Sequence, residues 1–382
     1  MKRKIVGGIL ALSALIFIGS GCQKNNGSDS AELVDFVVEV EAERDVRVLQ
    51  LTDTQIIRPE AERSPNRLTP LQEKQWASAE ENYHKYLNQV IKKTQPDLIL
   101  LTGDIIYGEF DDSGEALLEL IEFMDSFEIP WAPIFGNHEN EAEIGVDWQS
   151  KQLENAEYCL FKQRELTGNG NYTVGIMQND KLVRTFFMLD SNGCAGMSEK
   201  SLDNGHSMTR AGFGDDQIAW YTQEAENIKT EYPDVNFTFA FHIPIDAFAD
   251  AYAQYGFTDL GTNLNPINID EIGKPGDFGY LGQDVNGWDS EGTVWKGLQE
   301  LGADSVLAGH LHANSASVVY EGVRFQFGQK SSTYDLANYM NENGEIVGSY
   351  DTSAGTPIIG GTLMVLEKET GEMIDAEIVL YE

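Results

Sequence analysis

Histidine is scarce in this chain: only six residues of 382. Basic residues are also few, with 26 lysines and arginines against 62 aspartates and glutamates, a formal net charge of −36. Such a surface repels phosphate backbones and anionic membrane faces, so a nucleic-acid polymer is excluded as an expected partner. Cysteine numbers three. Beyond Cys22 only Cys159 and Cys194 remain, which can pair in an oxidising compartment or stand as small buried hydrophobes, and no chemistry is assigned to them. Internal repeats and low-complexity tracts are missing from the body of the chain. The one extended apolar run, residues 5–18, is shorter than a full bilayer span, which argues against a transmembrane helix.

That run has the anatomy of an export signal. Lys2, Arg3 and Lys4 form a basic start, the apolar stretch follows, and Gly19-Ser20-Gly21-Cys22 matches a lipobox except that Gly19 stands where leucine is usual. The expectation is a lipoprotein-type signal peptide over 1–22, lipid attached to Cys22, and a polar tether over 23–30. An ordinary secretory signal with an incidental cysteine is the alternative. The protein is then exported and faces the extracytoplasmic side of a bacterial envelope, with residues 31–382 as a single domain. Apolar content of 41% suffices for its core.

Within that domain five short motifs follow one another: Asp53-Thr54-Gln55, Gly103-Asp104, Gly136-Asn137-His138-Glu139, His242, and Gly309-His310-Leu311-His312. Four of the six histidines fall inside them. Carboxylate, amide oxygen and imidazole are the donors that divalent metal ions accept. Apolar β-branched runs over 46–51, 98–101, 236–241 and 304–308 each end at one of these motifs, which places the chemistry at the tips of buried strands. Amphipathic periodicity predicts helices over 74–93, 113–126, 215–229 and 293–301. The last third reads as consecutive antiparallel strands at 316–320, 323–327, 360–366 and 376–381, with Glu321-Gly322 as a hairpin turn. Residues 248–289 read as a long insertion, rich in Gly, Asn and Asp, that forms a rim or lid.

The ordered motif set resembles the calcineurin-like metallophosphoesterase superfamily, which includes the purple acid phosphatases; its pattern is D-x-H, G-D, G-N-H-E/D, a lone H, and G-H-x-H. The resemblance implies an α/β fold, a four-layer α/β/β/α sandwich of two mixed sheets flanked by helices. It also implies two divalent or mixed-valence ions. Asp53, Gln55, Asp104 and His312 would hold one; Asp104, Asn137, His242 and His310 the other, with Asp104 bridging. Water activated between the ions would attack phosphorus, with His138 assisting as a cation or proton donor. The implied activity is hydrolysis of phosphate esters, with a phosphomonoesterase on small substrates favoured over a phosphodiesterase or nucleotide pyrophosphohydrolase. A surface binding protein without turnover is the reading from another class.

The chain departs from the pattern at Gln55, where histidine is usual. An amide oxygen is the harder ligand, which tilts the expected metals toward manganese, magnesium or iron over zinc. Asp104-Ile105-Ile106-Tyr107 resembles the purple acid phosphatase G-D-x-x-Y element, so Tyr107 is an alternative ligand. Glu139 is expected to shape its loop. Arg210 and Lys330 are candidates to clamp substrate oxygens, with solvated surface positions the alternative, and His84 and His206 are expected to be ordinary polar residues.

Overall fold

A computed structural model describes residues 33–58, 70–193, 212–256, 267–285, 287–332, 337–343, 345–349 and 356–382. Its strands are β1 (Phe36–Glu39), β2 (Val46–Leu51), β3 (Leu98–Thr102), β4 (Trp131–Ile134), β5 (Tyr172–Gln178), β6 (Lys181–Met188), β7 (Asn236–Ala240), β8 (Ile267–Asn268), β9 (Phe278–Leu281), β10 (Ala303–Ala308), β11 (Asn314–Tyr320), β12 (Val323–Phe327), β13 (Ala337–Met340), β14 (Ile346–Ser349), β15 (Thr356–Pro357), β16 (Gly360–Leu366) and β17 (Met373–Leu380). The helices are α1 (Pro70–Thr94), α2 (Glu115–Asp125), α3 (Val146–Asn155), α4 (Asp215–Glu231), α5 (Ala247–Ala253), α6 (Ile269–Ile272) and α7 (Thr293–Glu300).

Two mixed sheets dominate. One has nine strands in the order β1-β5-β6-β7-β10-β12-β11-β9-β8, the other five in the order β17-β16-β2-β3-β4. The centre of each is parallel: β6, β7, β10 and β12 in the larger, β2, β3 and β4 in the smaller. Parallel strands covered on both faces carry continuous apolar runs rather than alternation, and LILLT of β3 and WAPI of β4 are buried throughout. The sheets face one another through a few polar ties. Tyr172 Oη donates to Pro133 O at 2.5 Å, and Gln50 Nε2 donates to Ala308 O at 3.1 Å. Gln326 Nε2 in turn donates to Gln50 Oε1 at 2.9 Å.

Helices cover the outer faces. Tyr83, Leu87, Val90 and Ile91 of α1 pack into one apolar cluster with β2, β3 and β16. Tyr221 of α4 lies edge-on to Phe239 of β7, and Phe248 of α5 packs against Phe325 and Phe327 of β12. The expected two mixed sheets flanked by helices are present.

Two sequence expectations change. The C-terminal strands do pair as hairpins, β11 with β12 and β16 with β17, but each hairpin joins a different sheet. Residues 248–289 are not a plain loop either. They begin inside α5, whose Phe248, Ala251 and Tyr252 are core residues, and they supply β9, which pairs with β11 on one side and with the edge strand β8 on the other. Apolar residues spaced for a short helix and a four-residue strand are too few to stand out against the Gly, Asn and Asp around them. Cys159 is buried and bridged through its backbone to Trp131, whereas Cys194 lies outside the described residues. No helix among the described residues is long and apolar enough to cross a membrane.

Candidate metal centre

The C-terminal tips of β2, β3, β4, β7 and β10 meet at one end of the facing sheets, and each delivers one motif. Asp53 and Gln55 follow β2, Asp104 follows β3, Asn137 and His138 follow β4, His242 follows β7, and His310 and His312 follow β10. The turns that aim them inward are strained. Asp53 (φ 51°), Gln55 (φ 43°), Asp104 (φ 48°) and His310 (φ 72°) all adopt the left-handed conformation. Such positions cost about 1–3 kcal/mol each and persist only where the surroundings enforce them. Two glycines make the closeness possible: a Cβ at Gly136 would overlap the Asp104 carboxylate, and one at Gly309 would overlap the Thr52 hydroxyl.

Asp104 lies at the middle. Its Oδ1 accepts from His138 N at 2.9 Å, and its Oδ2 lies 3.0 Å from His242 Nε2 and 3.8 Å from His138 Nε2. Asp104, His242 and His310 offer ligand atoms within 4.8 Å of one another, and so do Asp53, Asp104 and His312. Asp104 therefore belongs to two triads at once. Asp53 Oδ2 is held by Thr52 Oγ1 at 2.7 Å and His310 N at 3.1 Å, which leaves Oδ1 toward His312 Nε2 at 3.1 Å.

The donor atoms fit a cation. Asn137 Oδ1 is buried without a hydrogen-bond partner, and Asp53 Oδ1 and His242 Nε2 face only His312 and Asp104, other members of the same cluster, a costly state unless something else satisfies them. His242 Nδ1 lies 2.8 Å from Thr102 O; a carbonyl only accepts, so this nitrogen carries the proton and Nε2 is directed at the cluster.

Electrostatics point the same way. Burial would raise both carboxyls, yet His312, His242 and Lys330 hold Asp53 well below the usual carboxylate range, and His242 and His138 do the same for Asp104. Burial would lower His242, but Asp104 and Asp53 outweigh it and push it up to about 10. Its neighbour His310, 5.2 Å away ring to ring, is driven down to about 4 by burial and by His242. One imidazole is charged and the other neutral, because two cations at that separation repel.

His138 sits beside the ligands. Its Nδ1 lies 2.7 Å from Glu141 Oε2, and Tyr107 stacks on its ring at 4.0 Å. Burial opposes the charge, but Asp104 and Glu141 raise His138 to about 9. Tyr107 is thus placed as a platform for His138 by its ring contacts. Glu139 shapes its loop as expected: Oε1 accepts from Ile105 N and Ile106 N at 2.7 and 3.1 Å, and Oε2 from Gly136 N at 2.5 Å.

Gln55 differs from the other candidate ligands because its donor atom is already engaged. Lys330 Nζ donates to Gln55 Oε1 at 2.6 Å and to Asp53 O at 3.3 Å. Lys330 is 1% exposed, so it is not a surface lysine. Its segment crosses from the large sheet to the small one and runs beside Thr52 in parallel pairing. Sequence reasoning had no signal for this tie, nor for Glu141 beyond its three-residue spacing from His138. His84 stacks on Phe123 and faces Glu119, an ordinary polar role, and Arg210 and His206 lie outside the described residues.

Phosphatase DCR2 of Saccharomyces cerevisiae is 26% identical over 254 residues, which cover 60% of this chain and 38% of the yeast protein. An Arabidopsis thaliana protein named probable inactive purple acid phosphatase 28 is 28% identical over 189 residues, 43% of this chain and 45% of that protein. The chain thus matches less than half the length of either relative. A dimetal phosphatase structure from Danio rerio aligns with a TM-score of 0.45 at 11% identity, covering 89% of this chain and 100% of that one. The family model for calcineurin-like phosphoesterases matches residues 46–314, which contain every motif of the cluster, and the chain belongs to that family.

Proposed function

We propose that the protein is a two-metal-dependent hydrolase of small phosphate esters, with monoesters preferred. The observation that carries this reading is Asp104, one carboxylate shared by two ligand triads, with buried ligand atoms on Asn137, His242 and Asp53 around it. Asp53, Asp104 and His312, with Gln55 if its oxygen is released, would hold one ion; Asp104, Asn137, His242 and His310 would hold the other. Bound divalent ions supply Lewis acidity toward a phosphoryl group and toward water. Manganese, iron or magnesium suits the oxygen-rich set around Gln55.

The chain's own residues do the rest. His138, raised to about 9 by Asp104 and Glu141 in the metal-free fold, can donate a proton from Nε2 to a leaving oxygen while Glu141 fixes its ring through Nδ1. Asp53 and Asp104 stay ionised throughout the working range. The acidic surface supports a small diffusible substrate over a polymer.

Metal analysis of purified protein and a panel of aryl monoester, aryl diester, nucleoside monophosphate and dinucleotide test this. Asp104→Asn should lose bound metal and nearly all turnover. Diester cleavage without monoester cleavage would reverse the stated preference. A second reading, a binding protein on the same fold without turnover, is favoured by the Lys330–Gln55 bond and by the word inactive in the name of the plant relative. Wild-type protein silent on the whole panel with every metal would select it. We further propose export and lipid anchoring at Cys22, supported by the basic start and apolar run. Cys22→Ser should move the protein from the membrane to the soluble fraction.

A further inference from the structure

The two metal positions are built differently. Around the Asp104–Asn137–His242–His310 position, the Asn137 oxygen is buried without a hydrogen-bond partner, and the His242 nitrogen faces only the shared Asp104 carboxylate, 3.0 Å away. Around the Asp53–Gln55–Asp104–His312 position a lysine has arrived first. Residues 330–332 are stitched along residues 52–55: Ser331 N donates to Thr52 O at 3.0 Å, Thr52 N to Ser331 Oγ at 3.1 Å, and Ser332 Oγ to Asp53 O at 3.1 Å. Gly360 N holds the segment from the other side through Lys330 O at 3.0 Å. The ammonium is therefore fixed, not a wandering side chain. It donates to Gln55 Oε1, the one atom by which that amide would ligate, and its charge is among those that keep Asp53 ionised.

A buried ammonium next to a dication is repulsive, and a glutamine oxygen used as an acceptor from Lys330 is weakened as a ligand. The same ammonium supplies positive charge behind the Asp53 carboxylate without any metal. On the two-metal reading above, we propose that Lys330 makes the centre unequal: one tightly held ion at Asp104–Asn137–His242–His310, and one weak, exchangeable ion at Asp53–Asp104–His312, where Lys330 stands in for part of its charge.

The test titrates metal-free full-length protein with manganese(II), reading stoichiometry by calorimetry and spin coupling by electron paramagnetic resonance. Wild type should bind one ion tightly and a second at least about tenfold more weakly, with an uncoupled signal at one equivalent. Lys330→Met removes charge and donor at similar length and should tighten the second ion about tenfold, so that the coupled spectrum appears at lower manganese. Lys330→Gln keeps an amide to meet Gln55, guards against misfolding of the methionine variant, and should tighten it as well. Equal affinities in wild type, or a second ion unchanged or weaker in both folded variants, overturns the inference while leaving the two-metal reading standing. A wild type that binds no manganese overturns both.

Discussion

His242 and His310 show how one pocket gives two identical side chains opposite states. Asp104 lies 3.0 Å from His242 and holds its proton to about 10, while His310 is emptied to about 4. For His242 the folded value exceeds the unfolded value of about 6.5. Its contribution to the stability of the metal-free fold is therefore complete below that value and is lost as pH rises through about 10. His310 runs the other way: its contribution is present above about 6.5 and is lost as pH falls through about 4. An ion needs the His242 nitrogen unprotonated, so binding at neutral pH should release about one proton from this residue, and affinity should rise by about tenfold per pH unit below 10. Calorimetry of manganese binding in buffers of different ionisation enthalpy reads the release directly; a value of zero contradicts the assignment. The residues that cluster at the strand tips were legible in the sequence because glycine-flanked histidine and aspartate at fixed spacing are rare in a histidine-poor chain. Lys330 was not, because the bond to Gln55 spans 275 residues and lysine carries no local pattern that marks burial.

At the level of elements, strand tips were readable wherever an apolar run ended at a motif, as at β2, β3, β7 and β10. The β4 strand, WAPI, is four residues with an internal proline, and β5 contains Gly175, so neither announces itself although both are central to packing. The Glu321-Gly322 turn was readable because a hairpin of this type needs positive φ at both positions, and they show 49° and 84°. The tips of β3 and β4 are joined by two carboxylates. Asp104 Oδ1 accepts from His138 N, and the Glu139 carboxylate gathers three backbone N–H groups from the two loops, so Glu139 carries most of the ties that register one loop against the other. Glu139→Ala leaves three buried donors unpaired and should destabilise the fold by about 3 kcal/mol or more, seen as a lower midpoint in urea. Manganese affinity should fall with it, since Asp104 and Asn137 sit on the two loops that part. Destabilisation without any change in metal affinity would show that the loops hold their register by other means.

For the molecule as a whole, two fields of opposite sign compete for a phosphate ester. The surface carries the chain's net charge of −36 and acts at long range, while the site, with its ions bound beside Lys330, would be locally positive and acts only once the substrate is close. At physiological ionic strength the Debye length is about 8 Å, and in 0.01 M salt it is about 30 Å, so dilute buffer lets the surface repulsion reach the approaching anion first. An enzyme whose surface attracts its substrate slows as salt is added. Here the sign is reversed: kcat/KM for a phosphate dianion should rise about two- to fivefold between 0.01 and 0.15 M sodium chloride, with kcat little changed. The short-range attraction within the pocket survives because it acts below the Debye length. A series of initial rates at low substrate, repeated with a less charged diester as control, isolates the effect, since the control should respond less. A fall in kcat/KM with salt would mean that the face around the strand tips carries its own positive field, strong enough to overcome the rest of the surface.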